Sequence, residues 1–569
     1  MSPQPPIFTF NQSRDDIVDE VVHRACEAVA DPRLALSEAA FLEVKRQQSA
    51  GNDDVVPLGE WRSLARSLAR MSDTDCVWRL REIVARYARD VAGNFDPRVY
   101  KFASRTIAPL IGMLMSPMQT VRHLGSAFDL RALDGRVVVN GPIGAIRSLT
   151  EKGTVIYVPT HLSNLDSVVF GFALERVGLS PATYGAGKNL FTNPALSFFM
   201  HNLGAYRIDR RLKHGLYKEV LKAYSCVILE RGYHSLFFPG GTRSRSGAVE
   251  RRLKLGLAGT GVEAMARTAA HGKMRKIFFV PATINYLLTL EAETLIGDFL
   301  QEEGKHRYII EDDESAKPGR IAAFMRKLLG LDAGCVVRFS QPLDCFGNRV
   351  DDEGISYDAR GHAVSPLSYL TDGEGRVCHD PSRDAQYTRE LSESIVDAYS
   401  RDTVALATHL VAAAAFEKLR ESVSGGGRPT RAQSEAAADI FAMLRTKDDV
   451  TVSRAALAES VEGLRDRAKE LESRGRIVLG AHLARASGRE ILDEALRAFS
   501  GYHTTPVLEP RGANLVLADT RLIFYYQNRL TSQGLAPDLA GHVGHGGAGG
   551  ALASRRGASA FGSERSAAS

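Results

Sequence analysis

The sequence predicts an α/β fold flanked by helical regions, on three observations. Between about 134 and 345, short β-branched or aromatic runs alternate with amphipathic stretches, as in strand–helix units. On either side, apolar residues recur at spacings of three and four with few Gly or Pro, as in Asp15–Ala28 and Trp61–Ala88. A chain of 569 residues that is 44% hydrophobic can also build two or three cores.

Taken in order, residues 1–133 are a helical N-terminal region. Asn94–Pro97 breaks its helical run, and a further helix covers Arg98–Met115. The α/β domain, 134–345, has strands at Val137–Val139, Thr154–Val158, Ala182–Gly185, Ser235–Phe238, Ile277–Ile284 and Cys335–Phe339. Its helices are Ser167–Val177, Pro194–Leu203, Leu216–Glu230, Gly261–Ala270 and Ala322–Leu329. Residues 346–385, rich in Gly and Asp, show little periodicity and read as a loop-rich insertion. Residues 386–535 return to a helical pattern, interrupted at Gly425–Pro429. The tail, 536–569, has almost no large apolar residues. It cannot offset its ordering entropy and is expected to be disordered. No internal repeat is apparent.

Composition narrows the function classes. No apolar run approaches the ~18 residues of a spanning helix; Thr106–Met118, with Pro109 inside it, suits core or a membrane interface. The amino terminus lacks a basic segment followed by an apolar one, which predicts no signal peptide. Six scattered cysteines without a Cys-x-x-Cys pair argue against a disulfide framework and a zinc site, and suit a reducing cytoplasm. The net charge of +5 is far from a nucleic-acid signature, and the basic clusters lack interleaved aromatics. Those clusters, Arg207–Lys222 and Arg243–Lys254, suit phosphorylated small molecules or anionic lipid surfaces, or else solvated helix faces.

Four segments carry the chemistry. Val155-Ile-Tyr-Val-Pro-Thr-His161-Leu-Ser-Asn-Leu-Asp166 reads as a buried strand that delivers His161 to the mouth of a site, with Asp166 opening the next helix. A neutral imidazole can take a proton from an attacking alcohol, and a carboxylate on its other nitrogen sets the tautomer. The same spacing recurs at His379 and Asp384, but in a stretch that reads as a surface loop. No Ser or Cys sits in a Gly-x-Ser-x-Gly setting, which favours direct transfer to an acceptor hydroxyl. The second segment, Leu203-Gly-Ala-Tyr-Arg-Ile-Asp-Arg210, presents Arg207 and Arg210 after a short strand. The third, Leu236-Phe-Phe-Pro-Gly-Gly241-Thr242-Arg243-Ser-Arg245-Ser-Gly247, ends a buried strand in two glycines and two arginines. Glycines let backbone amides approach an anion, and guanidinium forks grip phosphate. It lacks the Gly-Lys-Ser/Thr ending of a Walker loop. The fourth, Phe279-Val-Pro-Ala-Thr-Ile-Asn-Tyr286, suits the wall of an acyl pocket or sheet core equally.

In order and spacing these segments resemble the four signature blocks of the glycerolipid acyltransferases, over about 134–345. Gly93-Asn-Phe-Asp-Pro97, Arg-Ser-Arg-Ser-Gly at 243–247 and Arg521-Leu-Ile-Phe-Tyr-Tyr-Gln-Asn528 are similar to the glycerol-3-phosphate acyltransferase branch in particular. The resemblance implies a mixed sheet flanked by helices. It makes His161 the general base and Asp166 its partner, and gives the acceptor phosphate to Arg243 and Arg245 with help from Arg210, Lys188, Gly241 and Thr242. It implies an acyl-CoA or acyl-ACP donor and no metal or resident cofactor. It places the chain at the cytoplasmic face of a membrane as a peripheral enzyme, possible partners being acyl carrier protein and the membrane surface. The implied reaction acylates the sn-1 hydroxyl of glycerol 3-phosphate. The alternatives are lysophosphatidate or another phosphorylated acceptor, and a non-catalytic lipid-binding scaffold. One departure stands out: Gly240 occupies the place of the third block's usual glutamate, which leaves acceptor identity open.

Overall fold

The computed structural model of the protein describes residues 5–49, 54–103, 137–191, 194–303, 334–423, 444 and 450–539. Helices α1 (Arg14–Glu27), α2 (Pro32–Ser49), α3 (Leu58–Ser67) and α4 (Asp73–Val91) build an amino-terminal bundle. Trp61–Ala88, continuous in hydrophobic pattern, is broken at Ser72. There the Ser72 hydroxyl accepts from the Asp75 N–H at 3.1 Å and the Asp75 carboxylate accepts from the Ser72 N–H at 3.3 Å. This reciprocal cap starts a new helix without disturbing the apolar period.

A seven-stranded mixed sheet forms the centre. Its strands are β1 (Val137–Asn140), β2 (Thr154–Pro159), β3 (Thr183–Gly187), β4 (Ala205–Ile208), β5 (Ser235–Leu236), β6 (Ile277–Tyr286) and β7 (Cys335–Phe339), in the spatial order β1-β7-β6-β2-β5-β3-β4. β2, β5, β3, β4 and β6 run parallel, and β7 opposes β6. Helices α5 (Ile143–Lys152), α6 (Asp166–Arg176), α7 (Pro194–Asn202), α8 (Gly215–Glu230) and α9 (Leu255–Ala270) connect the strands. Successive strand residues point to opposite faces. Val155 and Tyr157 accordingly pack with Ile146 of α5 and Phe170 of α6, while Ile156 and Val158 pack with Val220 of α8 and Val262 of α9. Both faces are covered, so β2 and β6 read as unbroken apolar runs rather than alternating ones.

The bundle is welded to this sheet. Arg24 pairs with Glu230 at 2.6 Å and Arg231 with Glu20 at 2.6 Å. Gly93 runs so close to β4 that an added Cβ would stand 3.0 Å from the Ala205 carbonyl oxygen. Beside it the Gly204 N–H donates to the Asn94 carbonyl at 2.8 Å. The break at 94–97 is thus a docking strap, and helix resumes over 97–103. The rest of Arg98–Met115, all of Thr106–Met118 and Ala322–Leu329, and the interruption at 425–429 lie outside the described residues.

The segment 346–385 is more regular than its composition suggests. Asp344, Asp351, Asp358 and Asp372 each begin a turn closed by a glycine three residues on, with φ between 75° and 85°. Each turn repeats one bond, from the glycine N–H to the aspartate carbonyl, as Gly347 to Asp344 at 3.3 Å and Gly354 to Asp351 at 3.1 Å. Asp351, Asp358 and Asp372 each also accept the N–H four residues on at 2.8 to 2.9 Å. This is an internal repeat of seven residues, Asp-x-x-Gly-x-x-x, with one unit between 364 and 372 lacking the pattern. Polar turn residues carry it, so hydrophobic periodicity could not reveal it.

The carboxy-terminal part is built on α11 (Pro381–Asp402), α12 (Ala407–Val423), α13 (Arg454–Ser473), α14 (Gly488–Phe499) and α15 (Thr520–Gln527), with α10 (Ala292–Glu303) preceding them in the chain. It also holds strands that the helical pattern hides: Thr451–Ser453, Leu508–Arg511 and Asn514–Leu517 form a small sheet. Their length, three or four residues, and the Pro510 and Gly512 beside their turn made them read as breaks. Ala536 and Leu539, expected in the tail, pack on this core, whereas 540–569 lie outside the described residues. Among the described residues no helix is long and apolar enough to cross a membrane.

Two buried histidines make the fold acid-sensitive. Burial, with Arg275 adding to it, pushes His234 from 6.5 down to about 4, and burial pushes His409 to about 3. Both stay neutral in the fold, while the unfolded chain binds their protons below 6.5. Their contribution is therefore complete above about 6.5 and is lost as pH falls through 6 and 5 towards 4. Denaturant unfolding should show stability falling by about 1.4 kcal/mol per pH unit per histidine in that window. His234→Asn, which keeps an acceptor for the Val155 N–H, should flatten the slope.

Candidate active site

The site lies at the carboxyl ends of the parallel strands, where loops leave an open α/β sheet. β2 ends at Pro159, and His161 follows in the corner before α6. His161 Nδ1 lies 2.8 Å from Asp166 Oδ2. The ring stacks on Phe238, with centroids 4.1 Å apart and planes tilted by 22°. Asp166 is wholly buried and fully engaged: Oδ2 also accepts the Leu162 and Ser163 N–H at 2.6 and 2.9 Å, and Oδ1 accepts the Tyr286 hydroxyl at 2.7 Å.

The corner's remaining amides go to two glutamates that the sequence did not single out. The His161 N–H donates to Glu250 Oε1 at 2.7 Å, and the Asn164 N–H to Glu291 Oε1 at 3.0 Å. All four consecutive amides, 161–164, are thus taken by carboxylates. An oxyanion hole made of these amides, which the corner's position invites, is not available here.

His161 shares a cavity of about 200 Å³ with Thr242, Arg210, Arg243 and Arg245. The cationic wall comes from two loops. Arg210 follows β4, and Arg243 and Arg245 lie in the loop that leaves β5. Arg243 pairs with the buried Glu291 at 3.4 Å, which ties the wall to the corner. Burial and the Arg243 charge lower the Arg210 pKa, as like charges held close together do. Gly241 and Lys188 adjoin lining residues of this cavity, Thr242 and Gly187. The Gly241 N–H donates to the Phe238 carbonyl at 3.0 Å and closes a turn, and Lys188 Nζ lies 3.8 Å from Asp209. Arg207 turns to Asp90, 3.1 Å away.

The fourth block is sheet core: all of β6 is buried, and its Tyr286 reaches the site through Asp166. Beside the cationic cavity lies a second, apolar one of about 120 Å³, lined by Tyr100, Val168, Phe172, Leu174 and Leu236, with Ser167 and Tyr184 common to both. His379 and Asp384, in the same sequence spacing as the dyad, also bond, at 2.6 Å. Their site is partly exposed, with Arg383 on the same carboxylate and no lining cavity in common with the arginines.

Residues 143–285 match the Acyltransferase family model, so this part of the chain is an acyltransferase domain. Curated relatives of this part of the chain are glycerol-3-phosphate acyltransferases. The chain is 30% identical over 200 residues to the glycerol-3-phosphate acyltransferase of Actinobacillus pleuropneumoniae serotype 5b, covering 35% of this chain and 22% of that protein. It is 27% identical over 218 residues to that of Pseudomonas aeruginosa (strain LESB58), covering 38% and 23%. The chain thus spans under a quarter of the length of these relatives. A solved structure, the 1-acyl-sn-glycerophosphate acyltransferase PlsC of Thermotoga maritima, aligns at 12% identity over 52% of this chain and 92% of its own, with a TM-score of 0.23, too low to carry an argument.

The loop bearing the arginines is held from outside by the carboxy-terminal segment. Gly247 has φ of 79°, and a Cβ there would stand 2.2 Å from the Tyr525 carbonyl oxygen. Asn528 Nδ2 donates to the Ser246 carbonyl at 2.9 Å. Gly247→Ala should cost about 2 kcal/mol or more in denaturant unfolding, through strain and displacement of this contact.

Proposed function

We propose that this protein transfers a fatty acyl group from an acyl thioester, carried on coenzyme A or acyl carrier protein, to the sn-1 hydroxyl of glycerol 3-phosphate. The observation that carries this reading is a His–Asp pair opening onto a cavity with three arginines. Glycerol 3-phosphate is small, doubly anionic and rich in hydroxyls, so a cationic cavity of this size suits it. The neighbouring apolar cavity suits the acyl chain.

With Nδ1 engaged by Asp166, Nε2 takes the proton of the acceptor hydroxyl as its oxygen attacks the thioester carbonyl. The tetrahedral adduct collapses with cleavage of the C–S bond, and the imidazolium returns the proton to the departing sulfur. The products are an ester and a free thiol. Because the corner's amides are committed, charge on the adduct oxygen is met by the cationic wall. Phe102 and Phe198 are 53% and 54% exposed beside the apolar cavity, whose lining includes Tyr100 and Ala103. This rim supports a peripheral position on a membrane.

Purified protein should acylate labelled glycerol 3-phosphate when supplied with acyl-CoA or acyl-ACP. Parallel assays with lysophosphatidate and dihydroxyacetone phosphate test the acceptor, and failure to use any of the three would overturn the reading. His161→Ala should lower turnover by roughly 10²–10⁴ while the unfolding transition stays in place. Arg245→Ala should raise KM for glycerol 3-phosphate about 10–100-fold with a smaller change in kcat, as loss of a charged hydrogen bond predicts. Arg245 is the cleaner choice because Arg243 also neutralises Glu291.

A further inference from the structure

The third block of this chain has Gly240 where the resembling family carries a glutamate. The space beside Gly240 is filled by another glutamate, ten residues further on. A Cβ built on Gly240 would stand 3.1 Å from Glu250 Cγ and 3.4 Å from Glu250 Oε1. That same Oε1 accepts the His161 N–H at 2.7 Å. The other side of the His161 peptide is also held by this loop, its carbonyl accepting the Ser244 N–H at 2.8 Å. Glu250 is half-buried as a residue, yet its Oε2 is shielded from solvent and without a hydrogen-bond partner among the described residues.

We propose that Glu250 is a positioning residue for acyl transfer: its carboxylate stands in for the absent side chain at 240 and sets the backbone of His161, and through it the ring. The inference rests on the acyl-transfer reading above and names a residue of that same site. A carboxylate acceptor makes a stronger bond to an amide than a neutral group does. Bonds to both the N–H and C=O of one residue leave its Cα–Cβ direction little freedom. The imidazole then needs only Asp166 and Phe238 to complete its placement.

The carboxylate has electrostatic support from the carboxy-terminal segment. Arg529 is 2% exposed and donates Nη2 to the Ile284 carbonyl at 3.0 Å and to Asn285 Oδ1 at 3.1 Å. Its Nε and Nη1 have no hydrogen-bond partner among the described residues. Burial raises the Glu250 pKa, while the His161 N–H and the Arg529 charge act against that rise. Each group lessens the cost of burying the other without a direct contact.

Relocating the carboxylate is the test. Gly240 does not have a positive φ, so its backbone accepts a side chain once Glu250 is shortened. Wild type, Glu250→Ala, Glu250→Gln, Gly240→Glu and the double variant Gly240→Glu/Glu250→Ala would be compared as full-length proteins of matched unfolding temperature. Turnover of glycerol 3-phosphate with acyl-CoA is one readout. The other, independent of activity, is the rate at which diethyl pyrocarbonate labels His161, followed by peptide mass spectrometry. Glu250→Ala should lower kcat on the order of 10²-fold with KM for glycerol 3-phosphate nearly unchanged, the cost of a displaced catalytic group. His161 labelling should change at least about threefold. Glu250→Gln, which keeps an acceptor oxygen, should retain more activity, and the double variant should recover most of it. Gly240→Glu alone should be impaired by crowding against Glu250. Unchanged His161 labelling in folded Glu250→Ala, or a double variant no better than Glu250→Ala, overturns the inference. A wild-type protein inactive with every acceptor overturns the acyl-transfer reading instead, and labelling alone then decides the placement of the ring.

Discussion

Four backbone N–H groups in a row, at the point where β2 leaves the sheet, have no strand partner and donate instead to buried carboxylates: Glu250, Asp166 twice, and Glu291. Buried amides must be satisfied, and a corner this sharp offers them no carbonyls. Carboxylates are a costly solution, since each is a charge withdrawn from water. The site recovers part of that cost through its cations. Arg243 lies on Glu291, Arg529 supports Glu250, and the Tyr286 hydroxyl and His161 ring meet Asp166. The acid cluster that shapes the corner and the basic cluster that would bind substrate are therefore one electrostatic system. Removing a member leaves an opposite charge buried and unpaired.

This coupling explains why the carboxy-terminal segment belongs to the site although it lies far along the chain. Arg529 reaches the β6 carbonyl at Ile284, Asn528 holds Ser246, and the Tyr525 carbonyl abuts Gly247. Each contact falls on an element that carries a site residue: β6 carries Tyr286, and the 243–247 loop carries the arginines. Tyr399 of α11 adds a hydrogen bond to the Val158 carbonyl at 2.8 Å, directly behind the corner. The helical region is a buttress for loops that a seven-stranded sheet alone would leave mobile.

What was legible in the sequence follows from the range of the interactions concerned. The strands of the α/β part, and three of its expected helices, appear within a few residues of their expected places, because burial of both sheet faces writes itself into local apolar runs; α9 begins six residues before its expected start, and α5 was not expected. His161 and Asp166 were legible because they are five residues apart across a strand–helix corner. Arg210, Arg243 and Arg245 were legible because each follows a strand end. Glu250, Glu291 and Tyr286 were not, since they meet the corner across 89, 127 and 120 residues. Glu250 even sits in a basic run, where an acid reads as a surface ion-pair partner. The capping box at Ser72 and the Asp-x-x-Gly repeat were written locally but in polar residues, and a search for hydrophobic period passes over them.

The second His–Asp pair shows which features define the site. His379 and Asp384 have the dyad's spacing and bond at 2.6 Å, shorter than the 2.8 Å of His161 and Asp166. Geometry within the pair therefore cannot distinguish a base from a helix-capping contact. The surroundings can. Asp384 shares its carboxylate with Arg383 at the open end of α11. Asp166 is closed in by two amides and a tyrosine, and its histidine faces a cavity with three arginines. An imidazole becomes a base for a bound alcohol only where something else holds the alcohol against it. In this chain the candidate holding groups follow two further strand ends; Glu250 and Ser244 tie the second of these loops to the histidine's own backbone, and Glu291 ties Arg243 to the Asn164 amide. The candidate site is the junction of three loops, and the dyad is the part of it that lies close enough in sequence to be read.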